Sequence, residues 1–167
     1  MPRVLFSTAI GPCSLAWNGA DVTAFALPGS DQAGTAEPAG LPAATPDWVR
    51  ELVARVQRHL AGEPQDFAGV ALDYSGVAPF ARRVYEATRK VPAGRTCTYG
   101  ELAGMLGEPP GSSRAIGALL GANPWPLIVP CHRIVGAKGR LTGFSAAGGV
   151  RTKARLLAIE GAQLLAE

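Results

Sequence analysis

The chain has 167 residues, of which 47% are hydrophobic and 17% charged, a balance that excludes a disordered protein and is typical of a globular fold with a sizeable core. No apolar run is long enough for a membrane helix and no basic leader precedes the short apolar segment near the N-terminus, so we expect a soluble, cytoplasmic protein without a membrane partner. Three widely spaced cysteines and two histidines predict neither a disulfide framework nor a metal site.

The net charge of +3 is distributed unevenly along the chain. Residues 1–72 carry 4 Lys or Arg against 7 Asp or Glu, whereas residues 73–167 carry 12 against 6. The second part therefore has the basic surface that an anionic partner such as nucleic acid requires, although ordinary surface charge fits the same numbers.

The first 27 residues predict strands joined by tight turns. Asn18-Gly19 is a strong hairpin signal between Cys13–Trp17 and Val22–Leu27, so we expect an antiparallel sheet. The following segment, Pro28–Pro46, is rich in Gly, Ala and Pro and predicts a surface loop.

Thr45-Pro46 predicts the start of a helix, with Thr45 as N-cap and Pro46 as the first helical residue. The helix then presents one apolar stripe, made of Val49, Leu52, Val53, Val56 and Leu60. His59 falls outside that stripe and is predicted to be a surface residue. The extended segment Gly69–Tyr74 is the predicted domain boundary, which divides the chain into residues 1–72 and 73–167.

The second part predicts a series of short helices. Pro79 begins one that stops before Pro92, Thr98–Glu101 is a capping box that begins the next, and Ser112 or Ser113 caps a third. Two short helices and a tight turn in a basic segment fit a helix-turn-helix, although an ordinary helical hairpin fits equally well. The predicted fold is therefore α/β (α+β): a small N-terminal α/β domain with an antiparallel sheet, and a mainly helical, winged-helix-like C-terminal domain.

The segment Leu127–Val135 is a strand candidate in which Pro130 should bend the chain where Cys131 is presented. A thiol becomes a good nucleophile when it ionises, and a neighbouring imidazole held by a carboxylate can accept its proton. Cys131-His132 supplies two of these groups, but the sequence does not choose among thirteen carboxylates, and an inert buried cysteine fits too. A closing helix is predicted over Val150–Glu160.

The hexapeptide Pro130-Cys131-His132-Arg133-Ile134-Val135 resembles the active-site motif of the O6-alkylguanine-DNA alkyltransferases. The resemblance covers about residues 76–161, in order and nearly in spacing, and the combination is highly specific. The other matching segments are Pro79-Phe80, Pro92-x-Gly94, Thr98-Tyr99-Gly100-Glu101-Leu102-Ala103, Arg114-Ala115-Ile116-Gly117, Asn123-Pro124 with Pro126, and Leu156-Leu157-x-x-Glu160-Gly161.

The resemblance implies a catalytic role for four residues. Cys131 is the alkyl acceptor, His132 deprotonates it through a bound water, and Glu160 orients His132. Asn123 shapes the turn between the recognition helix and the active-site strand.

It also implies which residues meet DNA. Tyr99 presses on the backbone beside the lesion and hydrogen-bonds the flipped base, and Arg114 fills the gap that the base leaves. The further residues expected at the DNA or over the base pocket are Ser113, Ala115, Gly117, Ile134 and Ser145.

The implied function is repair of double-stranded DNA containing O6-alkylguanine, and also O4-alkylthymine, by a monomer that needs no cofactor. The alkyl carbon of a stacked base cannot reach a protein pocket, so the nucleotide must be flipped out. Transfer of the alkyl group to Cys131 gives a thioether, which water does not cleave, so each protein molecule reacts once.

The chain departs from the family pattern in one loop. Phe144 stands where the family often has Tyr, and Ala146-Ala147 makes the segment Phe144–Lys153 about two residues longer than usual.

Three alternative functions stay open. The first is a non-reacting alkylguanine-binding module, which would lack the cysteine. The second is a regulator, which would carry a zinc domain, and the third is a cysteine hydrolase, which would turn over.

Overall fold

The computed structural model describes residues 2–30, 33, 40–141 and 149–162, and within them the chain forms a mixed α/β fold. The strands are β1 (Arg3–Thr8), β2 (Gly11–Asn18), β3 (Asp21–Ala26), β4 (Cys97–Thr98) and β5 (Ile134–Val135). The helices are α1 (Asp47–Leu60), α2 (Pro79–Thr88), α3 (Tyr99–Met105), α4 (Ser113–Gly121) and α5 (Gly149–Ile159). Short 3₁₀ turns cover Pro110–Ser112, Cys131–Arg133 and Ala137–Gly139.

The first three strands form an antiparallel sheet in the order β1-β2-β3. Leu15 in the central strand is fully buried and pairs with Val4 on one side and Phe25 on the other. The hairpin predicted at Asn18-Gly19 is confirmed, because Asn18 pairs with Asp21 across the turn. Helix α1 packs the predicted apolar stripe into the same core.

The predicted N-cap of α1 is wrong by one residue. Pro46 has an extended backbone (φ −59°, ψ 149°) and is itself the cap, so the helix begins at Asp47. The hydroxyl of Thr45 makes no capping hydrogen bond. The Pro46 carbonyl still accepts the first helical N–H groups, from Val49 and Arg50.

The outer edge of β3 bonds to two later segments of the chain, one at the predicted domain boundary and one after α4. The backbone N–H of Val22 donates to Ala71 (2.9 Å) and that of Phe25 donates to Pro124 (3.0 Å). The indole Nε1–H of Trp125, a residue only 1% exposed, donates to the carbonyl of Val22 (2.8 Å). The sheet therefore supports the turn that follows α4. The division at residue 72 stays a prediction.

Helices α3 and α4 form the expected helix-turn-helix arrangement. The capping box of α3 is confirmed: Thr98 Oγ1 accepts the Glu101 N–H, and Glu101 Oε1 accepts the Thr98 N–H, both at 3.0 Å. Ser112 occupies the predicted N-cap position of α4, but its side chain makes no capping hydrogen bond, because the 3₁₀ turn Pro110–Ser112 runs directly into the helix and leaves no extended residue there. Among the helices in the described ranges, none is long and apolar enough to cross a membrane.

The capping box makes a stability prediction. Thr98→Ala removes the side-chain acceptor for the Glu101 N–H and should lower the free energy of unfolding by about 1 kcal/mol, measured by urea denaturation. Thr98→Ser keeps the hydroxyl and is the matched control. An alanine variant as stable as the serine variant would contradict a stabilising cap.

Candidate active site

The residue Asn123 holds together the turn between α4 and the cysteine. Its Nδ2 donates to the carbonyl of Val129 and its Oδ1 accepts the backbone N–H of Trp125, both at 2.9 Å. Inside the turn, Leu127 has a φ of +81° and is 1% exposed, so a non-glycine residue is held in a strained conformation by packing. The turn thus has one defined shape.

The strand predicted over Leu127–Val135 is wrong except for its last two residues. The N–H of Cys131 donates to Val129 (2.7 Å), a tight turn around Pro130, and Cys131–Arg133 is a 3₁₀ turn. Only Ile134–Val135 is extended, and it pairs in parallel with Cys97–Thr98. Prolines that cannot donate to a ladder, together with the left-handed Leu127, prevent a longer strand. The short β4–β5 pair connects the cysteine turn directly to the start of α3.

The thiol of Cys131 is buried, with 7% of the residue exposed. Burial raises the pKa of Cys131 above its ordinary value. A hydrogen bond from the Asn123 side chain and the charge of Lys153 act in the opposite direction. The site therefore contains groups that favour the thiolate, although the resting thiol stays protonated at neutral pH.

The carboxylate of Glu160 lies just beyond the end of α5 and is the centre of a buried polar cluster. Arg133 binds it with two bonds, Nε to Oε1 (2.9 Å) and Nη2 to Oε2 (2.7 Å). Nε2 of His132 lies 3.0 Å from both carboxylate oxygens, and Nε2 of His59 lies 2.7 Å from Oε2. Burial alone would raise the pKa of Glu160, but these hydrogen bonds outweigh it and hold the pKa far below its ordinary value.

The ring of His132 is fully buried and is fixed by Glu160 at one nitrogen only. Burial lowers the pKa of His132, against the opposing effect of Glu160, so the imidazole is neutral at pH 7. With Nε2–H donating to the carboxylate, Nδ1 keeps a free lone pair. That atom is buried and makes no hydrogen bond with any residue that the structure describes. It is therefore available as a proton acceptor.

The side chain of Lys153 reaches the same region from α5. Its Nζ donates to the carbonyl of Ile134 (2.6 Å) and lies 6.0 Å from the ring centroid of Tyr99. Burial lowers the pKa of Lys153 to about 8, and the nearby Cys131 acts in the opposite direction. Lys153 thus places a cation near both the thiol and the Tyr99 ring.

A surface depression lies between α3 and α4. The residues that line it include Tyr99, Ser113, Arg114, Gly117 and Ala137. Arg114 and Ala115 are exposed, and a Cβ on Gly117 would lie 3.7 Å from the Tyr99 ring. The exposed side of α4 therefore has one long cation among small residues.

The residues predicted from the sequence fall into two adjacent groups. Cys131, His132, Glu160 and Asn123 come together around the thiol, whereas Tyr99, Ser113, Arg114 and Gly117 border the depression. Ala115 is exposed on α4 but does not line the depression. Ile134 is buried, with its carbonyl bound by Lys153. Ser145 and Phe144 lie outside the described residues.

Sequence reasoning missed three residues of the cluster. The prediction that His59 is a surface residue is wrong, because the residue is 1% exposed and bonded to Glu160. Arg133 lies inside the recognised hexapeptide and Lys153 at the end of the longer segment Phe144–Lys153, and neither had an assigned role. For Arg133 and Lys153, the available signal was a charged residue within a turn or helical segment that also contains apolar residues. The sequence around His59 contains no such signal.

A domain model described as 6-O-methylguanine DNA methyltransferase, DNA binding domain, matches residues 79–162. A methylated-DNA–protein-cysteine methyltransferase of Mycobacterium leprae is 38% identical over 162 residues, which cover 93% of this chain and 90% of the relative. The relative of the same name from Salmonella typhimurium is 50% identical over 91 residues, 54% of this chain and 52% of the relative. The chain thus matches about half the length of that relative.

Two further similarities concern DNA. A protein of Thermus thermophilus named DNA base-flipping protein is 49% identical over 114 residues, 68% of this chain and 72% of that protein. The crystal structure of Mycobacterium tuberculosis OGT in complex with DNA superposes with a TM-score of 0.75 at 38% identity, over 95% of this chain and 92% of the other.

The position of Lys153 makes a prediction about pH and stability. Its pKa is about 8 in the folded chain against 10.5 ordinarily, so between these values the unfolded state binds more protons and stability should rise with pH. The comparison is made in a Cys131→Ser background, which removes the overlapping thiol titration. The free energy of unfolding of the protein with Lys153, relative to that of Lys153→Met, should increase from pH 8 to pH 10.5. Urea denaturation at several pH values measures it.

The matched control is Lys138→Met, which removes an exposed lysine. Its stability difference from the background should stay constant over the same range. Parallel pH dependence for the two methionine variants would contradict the burial of the Lys153 ammonium.

Proposed function

The chain belongs to the O6-methylguanine DNA methyltransferase family, and from that premise we propose that it repairs DNA by moving the alkyl group from O6 of an alkylated guanine to Cys131. The observation that carries the proposal is the buried arrangement of Cys131, His132 and Glu160, with the free Nδ1 of the imidazole. The proposed partner is double-stranded DNA containing O6-alkylguanine or O4-alkylthymine. The protein binds it as a monomer in the cytoplasm.

The proposed proton path starts at the thiol. Nδ1 of neutral His132 accepts the Cys131 proton through one water, and Glu160 stabilises the imidazolium that forms. The thiolate is in turn favoured by the Asn123 hydrogen bond and the Lys153 charge. Because burial disfavours the thiolate at rest, these contacts matter most when the substrate is in place.

The bond changes then balance without a cofactor. Sγ of Cys131 attacks the alkyl carbon, an S–C bond forms, and the C–O6 bond breaks with its electron pair going to the base. The resulting guanine anion takes up one proton, equal to the one that the thiol lost. The thioether has no path back to the thiol, so each protein molecule repairs one lesion.

Binding of DNA is assigned to the exposed side of α3 and α4. The basic second part of the chain attracts phosphates, and the small residues Ala115 and Gly117 permit a close approach. Arg114 is the one long side chain at the start of α4, suited to occupy the stack after a base has left it. Tyr99 lies between this surface and Lys153, at the entrance that a flipped base would use.

A second candidate function is suggested by the Thermus thermophilus relative with its base-flipping name. A module that flips and binds an alkylated base without reacting would use the same DNA surface. The cysteine beside His132 favours transfer over binding alone.

The stoichiometry of transfer separates the two. Mass spectrometry after incubation with DNA containing O6-methylguanine should find one added methyl group per protein, on the peptide with Cys131. Cys131→Ser should transfer nothing yet bind the same DNA, because its surface is unchanged. Binding without mass increase would support the flipping module, and methyl groups on Cys13 or Cys97 would overturn the assigned acceptor.

The assignment of Arg114 is tested by comparing two substrates. Arg114→Ala should slow single-turnover repair of duplex DNA by tenfold or more, the effect of losing about 1.4 kcal/mol or more of support for the flipped state. Reaction with free O6-benzylguanine, which needs no flipping, should be unaffected. Arg58→Ala, which removes an exposed arginine from α1, is the control for lost charge. Equal slowing of both substrates by Arg114→Ala would refute the role.

A further inference from the structure

The imidazole of His59 is held in one orientation by two hydrogen bonds. Its Nδ1 accepts the backbone N–H of Gln65 (3.0 Å), and its Nε2 lies 2.7 Å from Oε2 of Glu160. An atom that accepts an N–H cannot carry a proton itself, so the proton of the neutral ring is on Nε2 and is donated to the carboxylate. The two contacts together fix the tautomer.

Packing restricts the same ring further. The ring of Phe67 lies 5.3 Å from it between centroids, and the guanidinium of Arg55 covers the Phe67 ring at 5.3 Å. His59 is therefore a rigid donor supplied by α1, a helix that contributes no other described bond to the cluster.

The donated bond falls on the oxygen where the cluster is most crowded. Oε2 of Glu160 also accepts from Nη2 of Arg133 (2.7 Å) and lies 3.0 Å from Nε2 of His132. Arg133 alone leaves the carboxylate free to tilt about its own bidentate pair. The bond from His59 comes from a different element, α1, and removes that freedom. It thereby sets the plane in which His132 meets the carboxylate.

We infer that His59 is a positioning residue for the alkyl transfer: it orients Glu160, and through Glu160 it directs Nδ1 of His132 toward Cys131. This inference rests on the proposed function. The other titratable or charged groups that face the cluster are His132 and Arg133 from the cysteine turn, Lys153 from α5 and Tyr85 from α2, all of which the test leaves in place.

The test compares variants that differ in the donated bond. His59→Phe keeps a ring against Phe67 but donates nothing, whereas His59→Gln supplies an amide donor for Glu160 and an acceptor for Gln65. With free O6-benzylguanine, His59→Phe should react about tenfold more slowly than the natural protein, and His59→Gln should recover most of that rate. Leu60→Ala, at the buried neighbouring position, is the control for lost core packing.

Rates are measured where urea denaturation shows every variant to be folded. Should His59→Phe fail to fold, His59→Asn replaces it, since an asparagine amide serves Gln65 but is too short to reach Glu160. A rate equal to that of the natural protein, or a glutamine variant as slow as the phenylalanine variant, overturns the inference. So does equal slowing by Leu60→Ala.

A second readout does not depend on transfer. The chain has two histidines, so the imidazole NMR signals of His59→Phe come from His132 alone. The Nε2–H signal of His132 should shift and broaden in this variant and return toward its original position in His59→Gln. If the natural protein transfers no methyl group from DNA containing O6-methylguanine, the proposed function fails, while these spectra still decide whether His59 orients Glu160 and His132; unchanged spectra would overturn that role.

Discussion

A single carboxylate, that of Glu160, sits almost fully out of water and requires four N–H donors on three side chains to stay there. Burying such a charge costs several kcal/mol unless partners compensate it, and removing one partner leaves the carboxylate with fewer donors at the same depth of burial. The donors come from α1 and the cysteine turn, and the carboxylate follows α5. The requirement to satisfy Glu160 therefore dictates how these three parts of the chain meet, and the orientation of His132 follows from it.

The backbone around Cys131 is fixed by a different means. Asn123 bridges the turn, Leu127 is held at positive φ by burial, and Trp125 anchors the turn to the edge of β3. Each contact is modest, about 1 kcal/mol net for a typical hydrogen bond. Together they keep the thiol in place without a long strand or helix beneath it. The β4–β5 pair then connects the cysteine turn to the first residues of α3.

Features encoded locally were predictable from the sequence. The capping box at Thr98 and the hairpin at Asn18-Gly19 depend on neighbours within three or four residues, so the pattern contains the whole interaction. The prolines around Leu127 excluded a helix, but they did not reveal the 3₁₀ turn Cys131–Arg133, which follows a segment that the Asn123 side chain bridges by bonding the Val129 carbonyl. His59 was assigned to the surface because helical periodicity reports one apolar face and says nothing of a polar partner elsewhere in the chain.

His59 and Glu160 are 101 residues apart in the sequence, and Trp125 and Val22 are 103 apart. Contacts between residues so far apart in the sequence carry a larger loop-closure cost than the contacts within helices and hairpins. The complete environment of the thiol therefore appears only with the final docking of distant segments. A molecule in which those segments have separated lacks the contacts that hold Glu160 and the turn before Cys131. Reactivity of Cys131 thus reports on completion of the fold.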